Sequence, residues 1–409
     1  MKAPPPRKEF SRRTPVTEKK KSKSKSSEGI GGGSLGEALR VPALAVLTGL
    51  IIGAIAIAAS GSNVFEAYSA LFIGAFGDPV RFFNGFQQLF TTGETAGLLR
   101  AIYPFTESLV TATPYIFAGL SVALGFRCGL FNIGAEGQLF IGALCSAFVG
   151  YSIVGLPAYI HLPLALLAGA AGGALWGIVP GYLKARFGAH EVVNTIMMNW
   201  IAFRLSDWLL NGPMKASGFR PVTPNIEHTA ELPRFFPDPL RLNWGFILAL
   251  IVAYVLYWFL FKTTLGFEIR SVGANPDAAK YAGMNIIRNF VLVMALAGGL
   301  AGLAGSSQVL GVDHWVGQGF SAGYGFDAIA LALLGKSHPF GVVLAALLFG
   351  FLRSGATRMQ SMAGVPIDII SIIQGLVIIF IAAPEIIRWL YRLKSVKVEE
   401  TVLTRGWGK

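Results

Sequence analysis

Ten separate runs, most of them close to the roughly twenty apolar residues that a bilayer requires, constrain this chain more than any other feature. Runs of that length match the hydrocarbon thickness of a membrane. In that solvent, backbone N–H and C=O groups must be satisfied inside the protein, so an apolar run of this length reads as a helix. The spans fall at 41–60, 104–126, 129–150, 162–184, 193–211, 244–262, 288–310, 324–336, 339–357 and 366–388. The expected fold is all-α: a polytopic membrane protein of about ten transmembrane helices, some short or broken. The eighth run is too short to cross alone. Composition agrees. Of 409 residues, 53% are hydrophobic and only 14% charged, against about 25% charged in soluble domains. That balance excludes a disordered chain, a disulfide scaffold and an ordinary water-soluble enzyme.

The net charge of +12 invites a nucleic-acid reading, but its distribution argues against one. Residues 1–30 hold ten basic and three acidic residues in a Ser/Lys/Pro-rich stretch that cannot build a core. The expectation is a disordered basic cytoplasmic tail, 1–37, that touches anionic membrane lipid and no nucleic acid. A transmembrane domain, 38–395, and a cytoplasmic carboxyl tail, 396–409, follow. Ten spans put both termini inside. Arg127, Lys184, Arg186, Lys262, Arg270, Lys280, Arg288, Lys336 and Arg388 then fall on the cytoplasmic side. Segments 61–100 and 212–243 fall outside. Residues 64–90, rich in phenylalanine, read as an amphipathic stretch along the outer interface. The proline-rich 212–243 reads as an irregular cap.

Gly169, Gly173, Gly177 and Gly181 recur every four residues, as do Gly298 and Gly302. This spacing lets helix backbones approach closely in lipid. Two motifs are decoys. Leu334-Gly335-Lys336-Ser337 resembles the end of a phosphate loop, but the first glycine is replaced by Ala330. His190-Glu191-Val192-Val193-Asn194 has asparagine where a zinc-protease helix needs its second histidine. Neither motif gives a nucleotide or a metal a home, and no catalytic constellation is present.

Three polar stretches stand out in so apolar a chain. In residues 131–138, Asn132, Glu136 and Gln138 read either as a water-solvated cap or as part of a pathway or a helix register, with Gly134 and Gly137 favouring a broken helix start. In residues 266–285, Asn275 and Pro276 predict the cap and first turn of a short helix that Gly283 ends. Such a compact projection suits docking onto a soluble partner. Residues 311–315 and 319–327, ending in Tyr324 and Asp327, read as a glycine-rich broken segment at the outer mouth. They suit either a planar polar ligand or an aromatic interface belt.

Phe126-Arg127-Cys128-Gly129-Leu130-Phe131-Asn132-Ile133-Gly134-Ala135-Glu136-Gly137-Gln138 resembles a signature of the permease subunits of bacterial ABC importers for nucleosides, within the ribose and branched-chain amino acid permease family. Residues 269–283 and 323–336, with Pro339-Phe340-Gly341, are similar to further blocks of that family. The resemblance covers residues 104–385. It implies a bacterial cell-membrane complex of two permease subunits, identical or homologous. Two ABC ATPase subunits that hold ATP-Mg and an extracellular substrate-binding protein complete it. This chain itself would bind no cofactor. The cytoplasmic loop at about 263–287 would couple to the ATPase subunit through Arg270, Gly273, Asn275, Ala279 and Gly283. Gly273 and Gly283 would set backbone turns. The substrate pathway would use Asn132, Glu136, Gln138, Gln308, Tyr324 and Asp327. Two alternatives remain open: a simple-sugar permease of the same kind, and an ion-coupled secondary transporter. The latter calls for paired intramembrane charges, and the spans offer mainly Glu136, Asp207 and Asp327.

Overall fold

A computed structural model describes residues 35–392. The predicted basic arm lies outside the described residues except for Leu35 to Glu37, which are helical, and the predicted carboxyl tail lies wholly outside them. Fifteen α-helices follow one another among the described residues, and none of these residues forms a named strand. They are α1 (Leu35–Ala59), α2 (Val64–Phe76), α3 (Pro79–Thr92), α4 (Ala96–Arg127), α5 (Ala135–Ser152), α6 (Ala158–Phe187), α7 (Glu191–Asn211), α8 (Trp244–Lys262), α9 (Thr264–Ala274), α10 (Pro276–Tyr281), α11 (Ile286–Gln308), α12 (Tyr324–Leu334), α13 (Pro339–Ala363), α14 (Ile367–Ala382) and α15 (Pro384–Leu390). Each of the ten predicted spans overlaps at least one helix. Five helices are long and apolar enough to cross a membrane: α4, α6, α8, α13, and α11 with the π-helical turn Val309–Asp313 that extends it. The chain is an all-α polytopic membrane protein.

The central element is α4. Its 32 residues run for about 48 Å at 1.5 Å per residue. Every residue from Ala112 to Phe126 is buried, against α11, α12, α13 and α8. Two helices that look independent in sequence, α6 and α11, are locked by their glycines. A Cβ on Gly302 would sit 2.2 Å from the Gly169 carbonyl oxygen, and one on Gly298 would sit 2.2 Å from that of Gly173. The predicted close-packed seam is this interface.

Two expectations need correction, and one, the shortness of the eighth run, is borne out. The eighth run forms α12, which is only 11 residues and about 16 Å long. It is a half-helix, because residues 318–323 approach it as irregular chain. The stretch 64–90 is not one amphipathic segment. It forms two helices, and α2 lies along α13, where a Cβ on Gly74 would strike Arg358 and Gly355. The tenth run breaks at Ala383-Pro384 into α14 and α15.

Arg127, Lys184, Lys262, Arg288 and Lys336 gather at helix ends on one side of the bundle, here the basic end. At the opposite end the segment 212–243 is irregular, as predicted. It is stitched to residues 310–317 by backbone hydrogen bonds: Leu232 N to Leu310 O (2.8 Å), Ile226 N to His314 O (2.9 Å) and Thr223 N to Val316 O (2.9 Å).

Candidate functional site

Between α4 and α5 the chain turns back into the bundle. Asn132 and Gln138, both fully buried, satisfy one another through two hydrogen bonds. Asn132 Nδ2 donates to Gln138 Oε1 at 2.9 Å, and Gln138 Nε2 donates to Asn132 Oδ1 at 3.3 Å. Asn132 Oδ1 also accepts from the Gly134 amide at 3.1 Å. Asn199 of α7 completes the knot, accepting from Gly137 N and donating to Ile133 O. These amides hold the start of α5. Of the two readings left open by sequence, helix register is the one the geometry supports for Asn132 and Gln138.

Glu136 does something else. It is 3% exposed, and its two oxygens reach across to the start of α12. Oε1 accepts from the Ser321 hydroxyl at 2.5 Å and Oε2 from the Gly325 amide at 2.6 Å. Gly323, at φ +88°, gives α12 no side-chain cap of its own. The carboxylate therefore supplies the cap from a different helix.

Directly beyond that cap lies a polar cluster. Tyr324 packs edge-on against Tyr115 at a centroid distance of 4.8 Å. The Tyr115 hydroxyl donates to Asp327 Oδ2 at 2.7 Å. Arg353 of α13 donates to the Tyr115 hydroxyl (2.6 Å), pairs with Asp327 (3.4 Å), and lies over the Tyr324 ring at 5.0 Å. Tyr115 stands twelve residues from Arg127, so the cluster sits about 18 Å along α4 from the basic end. That position corrects the expectation for residues 319–327. Only 311–317 lie against the capping segment at the far end, while Tyr324 and Asp327 are deep in the bundle. Asp327 and Arg353 remain about one-third exposed, whereas Tyr115 and Tyr324 are buried.

Further toward the opposite end, Arg241 pairs with Glu107, and Gln308 Nε2 donates to Asp313 Oδ2 at 3.0 Å. Glu107 stands eight residues before Tyr115 on α4, about 12 Å along its axis, so the two groups succeed one another along that helix as a polar column. Gln308 belongs to its upper part. Sequence reasoning missed Tyr115, Arg353, Glu107, Arg241 and Ser321. Arg353 and Glu107 were visible as charges inside predicted spans, so the inventory of Glu136, Asp207 and Asp327 was incomplete. Asp207, in contrast, sits on α7 beside Arg204 and accepts from Gln318.

At the basic end, Thr263, Asn275 and Asn285 cap α9, α10 and α11 in turn. Asn275 Oδ1 accepts from Ala278 N at 3.1 Å, Pro276 takes the first turn, and Gly283 follows at φ +84°, as the spacing predicted. Two assignments change. Gly273 makes no turn. It is helical, and a Cβ there would lie 2.2 Å from the Arg127 carbonyl oxygen, so it permits close approach to the end of α4. Ala279 is 4% exposed and points into the core, out of reach of a docking partner. Arg270 also turns inward, over the Phe261 ring. The outward face holds Asn275, Asp277, Ala278, Lys280 and Tyr281, the last 96% exposed.

Residues 105–382 match the family described as branched-chain amino acid transport system / permease component. The chain is 41% identical over 357 residues to the guanosine ABC transporter permease protein NupP of Bacillus subtilis (86% of this chain, 95% of that protein). It is 34% identical over 376 residues to the nucleoside ABC transporter permease protein NupB of Lactococcus lactis subsp. cremoris (90% and 97%). It is 35% identical over 354 residues to the glucose ABC transporter permease protein TsgB13 of Haloferax volcanii (84% and 87%). No solved structure matches. The pair Asp327–Arg353 lies within the helices, whereas in Glu107–Arg241 the arginine belongs to the capping segment; one such pair is what an ion-coupled transporter would need, but the lineage is decisive: the chain belongs to the branched-chain amino acid transport system / permease component family, and it is a multi-pass permease subunit of the ABC type, not an enzyme.

Proposed function

We propose that this permease carries nucleosides inward across a bacterial cell membrane, powered by ATP hydrolysis on a separate subunit. The observation that carries the reading is the 41% identity to a guanosine permease along 95% of that protein. The basic helix ends face the cytoplasm, following the positive-inside rule, and both chain termini lie there. A second permease subunit, identical or homologous, stands beside this one, and an extracellular substrate-binding protein delivers cargo to the end capped by 212–243. ATP and Mg²⁺ belong to the ATPase subunit, and this chain supplies no ligand to them.

The outward face of α10, from Asn275 to Tyr281, is the docking surface for the ATPase. Gly283 ends that helix, and Gly273 seats its neighbour α9 against α4. The pathway runs along the polar column, with Asp327 and Arg353 as its accessible groups, Tyr324 and Tyr115 behind them, and Gln308 above. ATP binding shifts a two-state equilibrium between outward-open and inward-open packings. Glu136, Asn132 and Gln138 keep the helix starts in register while it does so.

The test is purification of the tagged chain in mild detergent from its own membranes, followed by uptake of radiolabelled guanosine by the complex in vesicles. Co-purification of an ATPase subunit, with uptake competed by unlabelled nucleosides and not by glucose, is the expected result. Competition by glucose alone would favour the sugar reading, for which the Haloferax relative speaks.

A further inference from the structure

The ring of Phe261, the penultimate residue of α8, has two cations against it. The guanidinium carbon of Arg127 lies 5.4 Å from the ring centroid and that of Arg270 lies 5.1 Å from it. The two like charges act on each other. Among the described residues neither has a carboxylate within ion-pair distance. Arg270 Nε is buried without a hydrogen-bond partner. The aromatic face attracts both guanidinium groups through cation–π interaction.

Arg127 has a second engagement. Its Nε donates to the Ser337 carbonyl at 2.8 Å, and its Nη2 donates to the Lys336 carbonyl at 3.3 Å. Lys336 and Ser337 stand at φ +51° and +50°, a left-handed conformation that side-chain-bearing residues rarely hold. They form the turn between α12 and α13. The turn is further fastened by His338, whose ring lies 5.4 Å from that of Phe261. Thus α9, carrying Arg270, is connected through one ring and one guanidinium to the end of α12. The other end of α12 presents Tyr324 and Asp327 to the polar column and rests on Glu136.

We propose that Phe261 and Arg127 form a relay that transmits displacement of α9 and α10 to the half-helix α12, moving its distal end in the pathway. They are positioning residues for transport and touch neither cargo nor ATPase. The inference rests on the reading that α10 docks an ATPase subunit. A short helix held at both ends by groups from other helices moves as a unit, while a full-length span is anchored along its whole length. An uncompensated cation pair on one ring has two competing arrangements: both stacked, or one released to solvent. A push on α9 selects between them.

The experiment reconstitutes the purified complex with Phe261→Leu, Phe261→Tyr and Arg127→Lys, and measures ATPase recovery, basal ATP hydrolysis and ATP-driven guanosine uptake. Phe261→Leu removes the cation–π face and keeps an apolar side chain, whereas Phe261→Tyr keeps the face. The relay predicts that Phe261→Leu lowers uptake per ATP hydrolysed about tenfold, a size typical of coupling between sites. ATPase recovery and basal hydrolysis stay unchanged, and Phe261→Tyr transports like the parent. Parent-like uptake by Phe261→Leu overturns the relay. Equal loss in both Phe261 variants also overturns it, since the ring then serves packing alone. If Phe261→Leu fails to reach the membrane, Arg127→Lys decides: the same uncoupling supports the relay and parent-like uptake removes it. Absence of any ATPase from the unaltered preparation is a separate failure, that of the transport reading itself.

Discussion

Replacing Glu136 by glutamine tests how α12 is held. The carboxylate takes one hydrogen bond from the Ser321 hydroxyl at 2.5 Å and one from the Gly325 amide at 2.6 Å. Both are as short as charge-assisted bonds are. Glutamine fits the same space. Its oxygen can keep the Gly325 amide, and its nitrogen can turn the Ser321 hydroxyl into an acceptor, so two bonds survive and only the charge is lost. Hydrogen bonds to a charged group stabilise by about 1.5–3 kcal/mol and neutral ones by about 1. A negative charge at a helix N-terminus adds about 0.3–1 kcal/mol. The expected loss for Glu136→Gln, summed over both bonds and the helix terminus, is therefore about 1–5 kcal/mol. Glu136→Ala, which also orphans the Gly325 amide, should lose about 1–3 kcal/mol more. Detergent-denaturant titration in mixed micelles measures both, with exposed Glu94→Gln as the reference. If Glu136→Gln is as stable as the parent, the charge does not cap α12 and the reasoning fails.

Gly302→Ala puts a methyl 2.2 Å from the Gly169 carbonyl oxygen and should cost about 1–3 kcal/mol of overpacking in the same titration, while Gly375→Ala, with open space around it, should cost nothing. Tyr281→Ala should leave stability unchanged and reduce ATPase co-purification. Ala279→Glu should lower stability first, because it places an unpaired charge in the core. Burial, helped by nearby Arg127, pushes the His338 imidazole below its ordinary value. The unfolded chain then takes up this proton at about pH 6.5 while the folded chain does not. Stability from this group is full above that pH, falls as pH drops toward the folded value, and levels off below it; His338→Gln should flatten that part of the profile.

The spans were legible because bilayer thickness sets their length, which any reading of apolar runs detects. The cap of α10 was legible too, because Asn275, Pro276 and Gly283 act locally, within a turn of the groups they satisfy. Contacts set by long-range packing were not. Glu136 reaches Gly325, 189 positions away, and no local pattern announces that a carboxylate in one helix caps another. Gly273 reads as a turn residue in sequence, yet its role is clearance for the α4 backbone. Ala279 sits on a short amphipathic helix whose inward face cannot be assigned until α9 is placed. Arg353 was visible as a charge in a span, but only the fold brings it to Tyr115 and Asp327.

The proposed function makes the chain a conduit without an energy source of its own, moved from the basic end by a partner. The most direct measurement places the purified complex in vesicles and follows guanosine accumulation with ATP available to the ATPase, without ATP, and with the permease subunits alone. Accumulation against a gradient only in the first condition is the prediction. Accumulation by the permease alone, driven by a proton or sodium gradient, would contradict it.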